Sequence, residues 1–335
     1  MIFAIRADAG VVQGTGHVMR CLSLAERLLQ KGHRVGLFTN SSEIEWLESA
    51  ISTSGVEVFR VTADELFTEQ LGDFSPDWLI VDSYQIPPEQ VSAVNQKLRV
   101  LAIVDGDARG ISASAYLDTN LFSEKLSWPE DVRSKLLAGG RYALVRDGVL
   151  IHKRTHPETV KGNPPKVLVF LGGSDPYGFS PLVASALSLV EAPFIATFIA
   201  PQTSHEAISA ALGANSSKVS VIGLTPKLTD HYEGVDVVIS AAGTSAWDVC
   251  SLGVPALLLS VVDNQEFSLN QLAEHGLTLT NNLAGAGKEK ASELATQISR
   301  LLTDQKLRSE LSDQALKHFD GLGRDRVEEF LTSAK

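Results

Sequence analysis

Short apolar runs recur along this chain and alternate with stretches in which apolar residues return every three or four positions. In the first half the runs are Ile2–Ile5, Val35–Phe38, Val56–Phe59, Trp78–Val81 and Val100–Val104. In the second they are Lys166–Leu171, Phe194–Ile199, Val219–Ile222, Val235–Ser240, Ala256–Ser260 and Leu277–Thr280. Most lack the in-and-out alternation of a half-exposed strand, which predicts strands buried on both faces, as in parallel sheets covered by helices. Val18, Leu22, Ala25 and Leu29 fall on one stripe of a predicted helix from His17 to Lys31, with Arg20, Glu26 and Arg27 off that stripe and Gly32 placed to end it. Further helices are predicted over Ser180–Val190, Trp247–Leu252, Ala291–Leu302 and Lys306–Phe319, and in a last segment reaching about Leu331. A polar stretch at 151–165, with Pro157, Gly162, Pro164 and Pro165, interrupts the alternation and reads as a linker. The expected organisation is therefore an α/β protein of two Rossmann-like domains, 1–150 and 166–335, with the last helix packing back on the first domain.

Charge narrows the partners. The 335 residues carry a formal net charge of −11, and both halves are acidic. That argues against a nucleic-acid binder, which needs basic surface, but leaves room for a small anion held by backbone amides. Cys21 and Cys250 lie far apart, show no metal-ligand spacing, and read as small buried hydrophobes. No apolar run approaches the roughly 18 residues of a membrane span, and the chain opens directly on a strand without a leader-like segment. The expectation is a soluble cytoplasmic protein with reduced thiols; its oligomeric state is not legible.

Candidate chemistry gathers at the ends of the predicted strands. After the first comes Arg6-Ala7-Asp8-Ala9-Gly10, then the loop Gly14-Thr15-Gly16 and His17 at a helix start. Helix N-termini attract anions, glycines permit close approach, and a histidine there can move a proton near neutral pH. His17 reads equally well as an ordinary polar helix-start residue. The loop is not the dinucleotide fingerprint, because the third glycine position is Met19. Asp82 and Asp105 each follow a strand run directly, at the carboxyl end where open α/β sheets place ligands. In the second half, Gly172-Gly173-Ser174-Asp175 and Ala242-Gly243-Thr244-Ser245 follow strands. Amides and hydroxyls of Gly243, Thr244 and Ser245 suit a diphosphate, and Asp248 one turn later suits a ribose diol; a plain helix cap by Thr244 or Ser245 is the alternative. Asp263-Asn264-Gln265 offers amides for sugar hydroxyls, or a cap for the next helix. The remaining histidines show no metal-ligand spacing, so neither a metal nor a cofactor is expected.

Taken together these segments resemble the PseG family, nucleotide-sugar hydrolases of the pseudaminic acid pathway with a related spore-coat polysaccharide branch. The resemblance covers nearly the whole chain. It is most specific in Gly14-Thr15-Gly16-His17-Val18-Met19-Arg20-Cys21, and the second half is also similar to the nucleotide domain of MurG-like glycosyltransferases. It implies a GT-B architecture, two Rossmann-like domains facing a central cleft. It also implies removal of UDP from UDP-2,4-diacetamido-2,4,6-trideoxy-β-L-altropyranose by water attack at the anomeric carbon, with C–O cleavage and inversion. The family's general base matches His17, and its catalytic tyrosine and asparagine match Tyr84 and Asn264. Substrate contacts are expected at Asp8, Gly14, Gly16, Arg20, Gly173, Ser174, Gly243, Thr244, Ser245, Asp248 and Gln265. The chain departs from the family at Gly106, where a second acid is common, at Thr119, where glutamine is common, and at Asp248, where glutamate is usual. These differences bear most on the identity of the sugar. A glycosyltransferase using the same donor, with an acceptor hydroxyl in place of water, and a non-catalytic nucleotide-sugar binder are the competing readings.

Overall fold

The computed structural model describes residues 1–10, 14–41, 44–62, 64–66, 68–154, 164–261, 266–283 and 289–333. The chain divides into two compact units, one comprising Met1–Arg146 with Asp320–Lys335 and the other Asp147–Phe319. Among the described residues no helix is long and apolar enough to cross a membrane.

The first unit is built on a seven-stranded parallel sheet. Its strands are β1 (Ile2–Ala7), β2 (Arg34–Thr39), β3 (Glu57–Arg60), β4 (Trp78–Asp82), β5 (Arg99–Ile103), β6 (Ala115–Asp118) and β7 (Leu136–Ala138), in the order β3-β2-β1-β4-β5-β6-β7. Ala7 lies opposite Asp82 in the β1–β4 register. Neighbouring strands send alternate apolar residues to opposite faces. Phe3, Ile5, Trp78 and Ile80 join one core cluster, while Ala4, Leu79 and Val81 join the other. Both faces are apolar because helices cover both, which is why the inner strands read as unbroken runs, whereas the edge strand β3 is largely exposed. The first helix, Gly16–Gln30, packs Val18, Leu24 and Leu28 into the first of these clusters. It closes at Gly32, in the left-handed region at φ 79°, where Gly32 N donates to Leu29 O at 2.9 Å and His33 N to Leu28 O at 3.1 Å. The C-terminal helix, Gly323–Ser333, belongs to this unit. It places Val327 and Leu331 in the same cluster, and Arg324 donates to Ser23 O at 3.2 Å and to Glu26 at 2.9 Å.

The second unit carries a six-stranded parallel sheet: β8 (Lys166–Phe170), β9 (Ile195–Ile199), β10 (Val219–Ile222), β11 (Val237–Ala241), β12 (Ala256–Ser260) and β13 (Leu279–Asn282), in the order β10-β9-β8-β11-β12-β13. Both sheets therefore reverse direction beside their first strand, between β1 and β4 and between β8 and β11. The crevice outside the carboxyl ends at such a reversal is where open α/β sheets bind ligands. The stretch expected as a linker begins inside the second unit, which starts at Asp147. Arg154 N donates to Leu252 O at 2.9 Å and its guanidinium to Val235 O at 2.6 Å, which ties the start of that stretch into the second unit. Residues 155–163 lie outside the described residues.

Candidate active site

In the first unit the candidate residues converge at the β1/β4 reversal. Gly10 and Gly14 pair antiparallel, with Gly14 N donating to Gly10 O at 2.8 Å and Gly10 N to Gly14 O at 3.2 Å. Gly14 takes φ 81°, a conformation that favours glycine, and Gly16 opens the first helix. Thr15 precedes the helix without capping it through its hydroxyl. His17 then stands one residue inside the helix, at the carboxyl end of β1 and opposite the end of β4.

Asp82 closes β4, and its carboxylate accepts from His17 Nδ1 at 2.6 Å. This short bond to an ionised acceptor places the ring proton on Nδ1 and leaves Nε2 as the basic nitrogen when the imidazole is neutral. Arg20, one turn on from His17, grips the same carboxylate with two nitrogens, Nε to Oδ2 at 2.5 Å and Nη2 to Oδ1 at 2.7 Å. It also reaches Asp105 at 3.3 Å. Arg20 was expected to touch substrate; its guanidinium is buried and engaged by these two aspartates. Burial alone would raise the Asp82 carboxyl, but the charges of Arg20 and then His17 outweigh it and hold Asp82 well below the usual carboxylate range. Asp105 is also held low, burial again opposing and Arg20 the largest favourable influence. Cys21 donates to Asp82 at 3.6 Å, and burial with the Asp82 charge keeps its thiol protonated.

Tyr84 stands above this pair with 57% of its surface exposed. Its hydroxyl donates to Asp105, its ring meets His17 edge-on at 5.3 Å between centroids, and the Arg109 guanidinium covers the ring face at 4.5 Å. Burial and then Asp105 push the phenol above its ordinary range, so it remains a neutral hydroxyl. Asp8 is placed differently from the expected substrate contact. It is buried, forms an ion pair with Arg6, and accepts from Ser83 Oγ at 2.9 Å and Asn40 N at 3.2 Å. Its oxygens organise the strand ends behind the site. Among the described residues no group of three or more His, Cys, Asp or Glu side chains is arranged to hold a metal ion.

In the second unit the two glycine loops flank the β8/β11 reversal. Gly173 and Ser174 follow β8, and the adjacent Asp175 caps the next helix by accepting from Phe179 N and Ser180 N, each at 3.0 Å. Gly243 and Thr244 follow β11 and lead into the helix Ser245–Leu252. No side chain caps that helix at Thr244, so the alternative of an ordinary hydroxyl cap there is not realised. Asp248 lies in its first turn. Asn264 and Gln265 lie outside the described residues. Asp82, Asp105 and Arg109 join the site without having been singled out as site residues from sequence. Only the position of the two aspartates at the ends of apolar runs hinted at their place.

No protein-family model matches the chain. It is 24% identical over 341 residues to the spore coat polysaccharide biosynthesis protein SpsG of Bacillus subtilis, spanning 98% of this chain and 96% of that one. Among solved structures it is similar to Acinetobacter baumannii MurG, at 17% identity with a TM-score of 0.71 over 99% of both chains. It is also similar to the spinosyn rhamnosyltransferase SpnG complexed with thymidine diphosphate, at 17% identity with a TM-score of 0.64 over 97% of this chain and 99% of that one. The fold is GT-B.

Proposed function

We propose that this chain is a nucleotide-sugar enzyme of sugar or polysaccharide biosynthesis, in which His17 oriented by Asp82 is the general base for attack at an anomeric carbon. The observation that carries this reading is the 2.6 Å His17–Asp82 hydrogen bond at the carboxyl end of a sheet reversal. His17 Nε2 takes the proton from a hydroxyl nucleophile, and Asp82 stabilises the imidazolium that forms. The nucleophile's oxygen bonds to the anomeric carbon. The bond from that carbon to the phosphate oxygen breaks, and the nucleoside diphosphate departs with the electron pair. A single displacement of this kind inverts the anomeric centre. The loops at Gly173–Ser174 and Gly243–Ser245, with Asp248, are assigned to the nucleotide, where amide donors suit a diphosphate. Tyr84 beside His17, and Asn264 and Gln265 by the motif match, are assigned to the sugar or the nucleophile.

An acceptor alcohol as nucleophile takes first place, because the structurally similar SpnG is named a rhamnosyltransferase, and SpsG is named for polysaccharide biosynthesis. Water as nucleophile is the second reading, favoured by the Gly-x-Gly-His-x-x-Arg-Cys block at 14–21. UDP is the first nucleotide to test and TDP the second. Incubation with a UDP-linked diacetamido-trideoxy sugar, with and without sugar acceptors, separates the readings. Nucleotide release only with an acceptor supports transfer, and stoichiometric free sugar without one supports hydrolysis. No turnover of any UDP- or TDP-sugar by wild-type protein, or undiminished turnover by His17→Ala, overturns the general-base proposal.

A further inference from the structure

The His17–Asp82 pair does not stand alone. Arg20 bridges two carboxylates, gripping Asp82 on one side and reaching Asp105 Oδ1 and Oδ2 at 3.3 and 3.5 Å on the other. Each carboxylate carries a side chain assigned to the reaction. Asp82 holds His17, and Asp105 holds the Tyr84 hydroxyl. Asp105 is in turn fixed by Asn120 Nδ2 at 3.3 Å, while Asp118 accepts from Gly106 N at 2.6 Å and from Asn120 Nδ2 at 2.8 Å. The turn bearing Asp105 is thus pinned from the end of the neighbouring strand β6.

Arg20 is shared between the two aspartates and, against the opposing effect of burial, is the largest influence holding both below the usual carboxylate range. Asp8 at the end of β1 has its own partner in Arg6, and Arg109 lies over the Tyr84 ring.

We propose that Asp105 is a positioning residue that acts through Arg20 and Tyr84, holding the Tyr84 hydroxyl beside His17 and steadying the guanidinium that grips Asp82. The role rests on the general-base reading above. A carboxylate at this position accepts from both Arg20 and the Tyr84 hydroxyl, whereas an amide of the same shape loses the charged half of that arrangement.

The test compares Asp105→Asn and Asp105→Glu with wild type in the full-length protein, scoring kcat and KM for the UDP-sugar. Asp105→Asn keeps the shape and removes the charge. It is expected to lower kcat about 10- to 100-fold and to leave KM within about threefold. Asp105→Glu keeps the charge and is expected to recover kcat to within about tenfold of wild type. The proposal is overturned if Asp105→Asn keeps wild-type kcat, if its KM rises as far as its kcat falls, or if Asp105→Glu is as slow as Asp105→Asn. Should Asp105→Asn fail to fold, Tyr84→Phe, which removes the hydroxyl that Asp105 holds, gives the second measurement. Loss of kcat with KM unchanged supports the proposal, and wild-type kcat overturns it. Undiminished turnover by His17→Ala marks instead the failure of the general-base reading, whatever Asp105→Asn does.

Discussion

Asp82 is the side chain whose replacement discriminates most sharply between a working base and a decorative histidine. An ionised carboxylate can only accept, so it fixes the proton on His17 Nδ1 and leaves Nε2 free to receive one. Asparagine at this position can present its NH2 to Nδ1 and favour the opposite tautomer. Asp82→Asn should therefore lower kcat by about 10²- to 10⁴-fold with KM little changed. Equal kcat in a folded variant contradicts the orientation role. The same carboxylates make acid stability predictable. Asp82 and Asp105 are both held low in the folded chain, so at pH values below about 4 the unfolded chain binds protons that the folded chain refuses, and stability falls as pH falls through that range. Asp118, pushed up by burial, works in the opposite sense. Urea unfolding midpoints from pH 5 to pH 3 should decline in wild type and decline less steeply in Asp105→Asn. A midpoint independent of pH over that range contradicts the ion-pair network as drawn.

At the scale of elements, the first helix is held from two sides. Its N-terminal turn is locked to β4 through His17 and Arg20, and its back is clasped by the C-terminal helix, where Arg324 reaches Ser23 and Glu26 and Arg27 pairs with Asp325. Gly323, at the start of that C-terminal helix, sits so close to the Tyr142–Ala143 backbone that a Cβ would lie 2.2 Å from Ala143 O and 2.5 Å from Tyr142 C. Backbone cannot yield as a flexible side chain does. Gly323→Ala should destabilise the first unit by about 2–3 kcal/mol, read as a lower urea midpoint for that unit. An unchanged midpoint contradicts the packing. Eleven of the thirteen strands are legible as apolar runs, the inner ones because they are buried on both faces, while the edge strands β3 and β10 are more exposed and carry polar residues. β6 and β7 are not, because Ala115-Tyr116-Leu117 and Leu136-Leu137-Ala138 are too short to stand out from their surroundings. The position of His17 at a helix start is legible from the loop before it. The burial of Arg20 is not, because helical spacing puts it off the apolar stripe and its partners arrive from strands 62 and 85 residues away. Local periodicity carries no information about such pairings.

For the whole molecule, the two units are assigned different tasks, and this separates binding from chemistry in a measurable way. Proton transfer is assigned to His17 in the first unit, nucleotide recognition to Gly243–Ser245 and Asp248 in the second. The helix Ser245–Leu252 begins without a side-chain cap at Thr244, and Asp248 stands in its first turn. A carboxylate one turn into that helix suits the paired hydroxyls of a ribose through charge-assisted hydrogen bonds. Asp248→Ala should then raise the Kd for UDP about tenfold, a loss near 1.4 kcal/mol, by calorimetry on the full-length protein, while kcat at saturating donor falls far less. His17→Ala should do the reverse, lowering kcat by about 10²- to 10⁴-fold and leaving the Kd for UDP within about threefold. TDP offers a second comparison, since a deoxyribose lacks the 2′-hydroxyl and should feel the Asp248 substitution less than UDP does. Equal UDP affinity in Asp248→Ala and wild type removes Asp248 from the nucleotide site. Parallel losses of affinity and kcat in both variants contradict the division of labour itself, because each unit would then contribute to both steps.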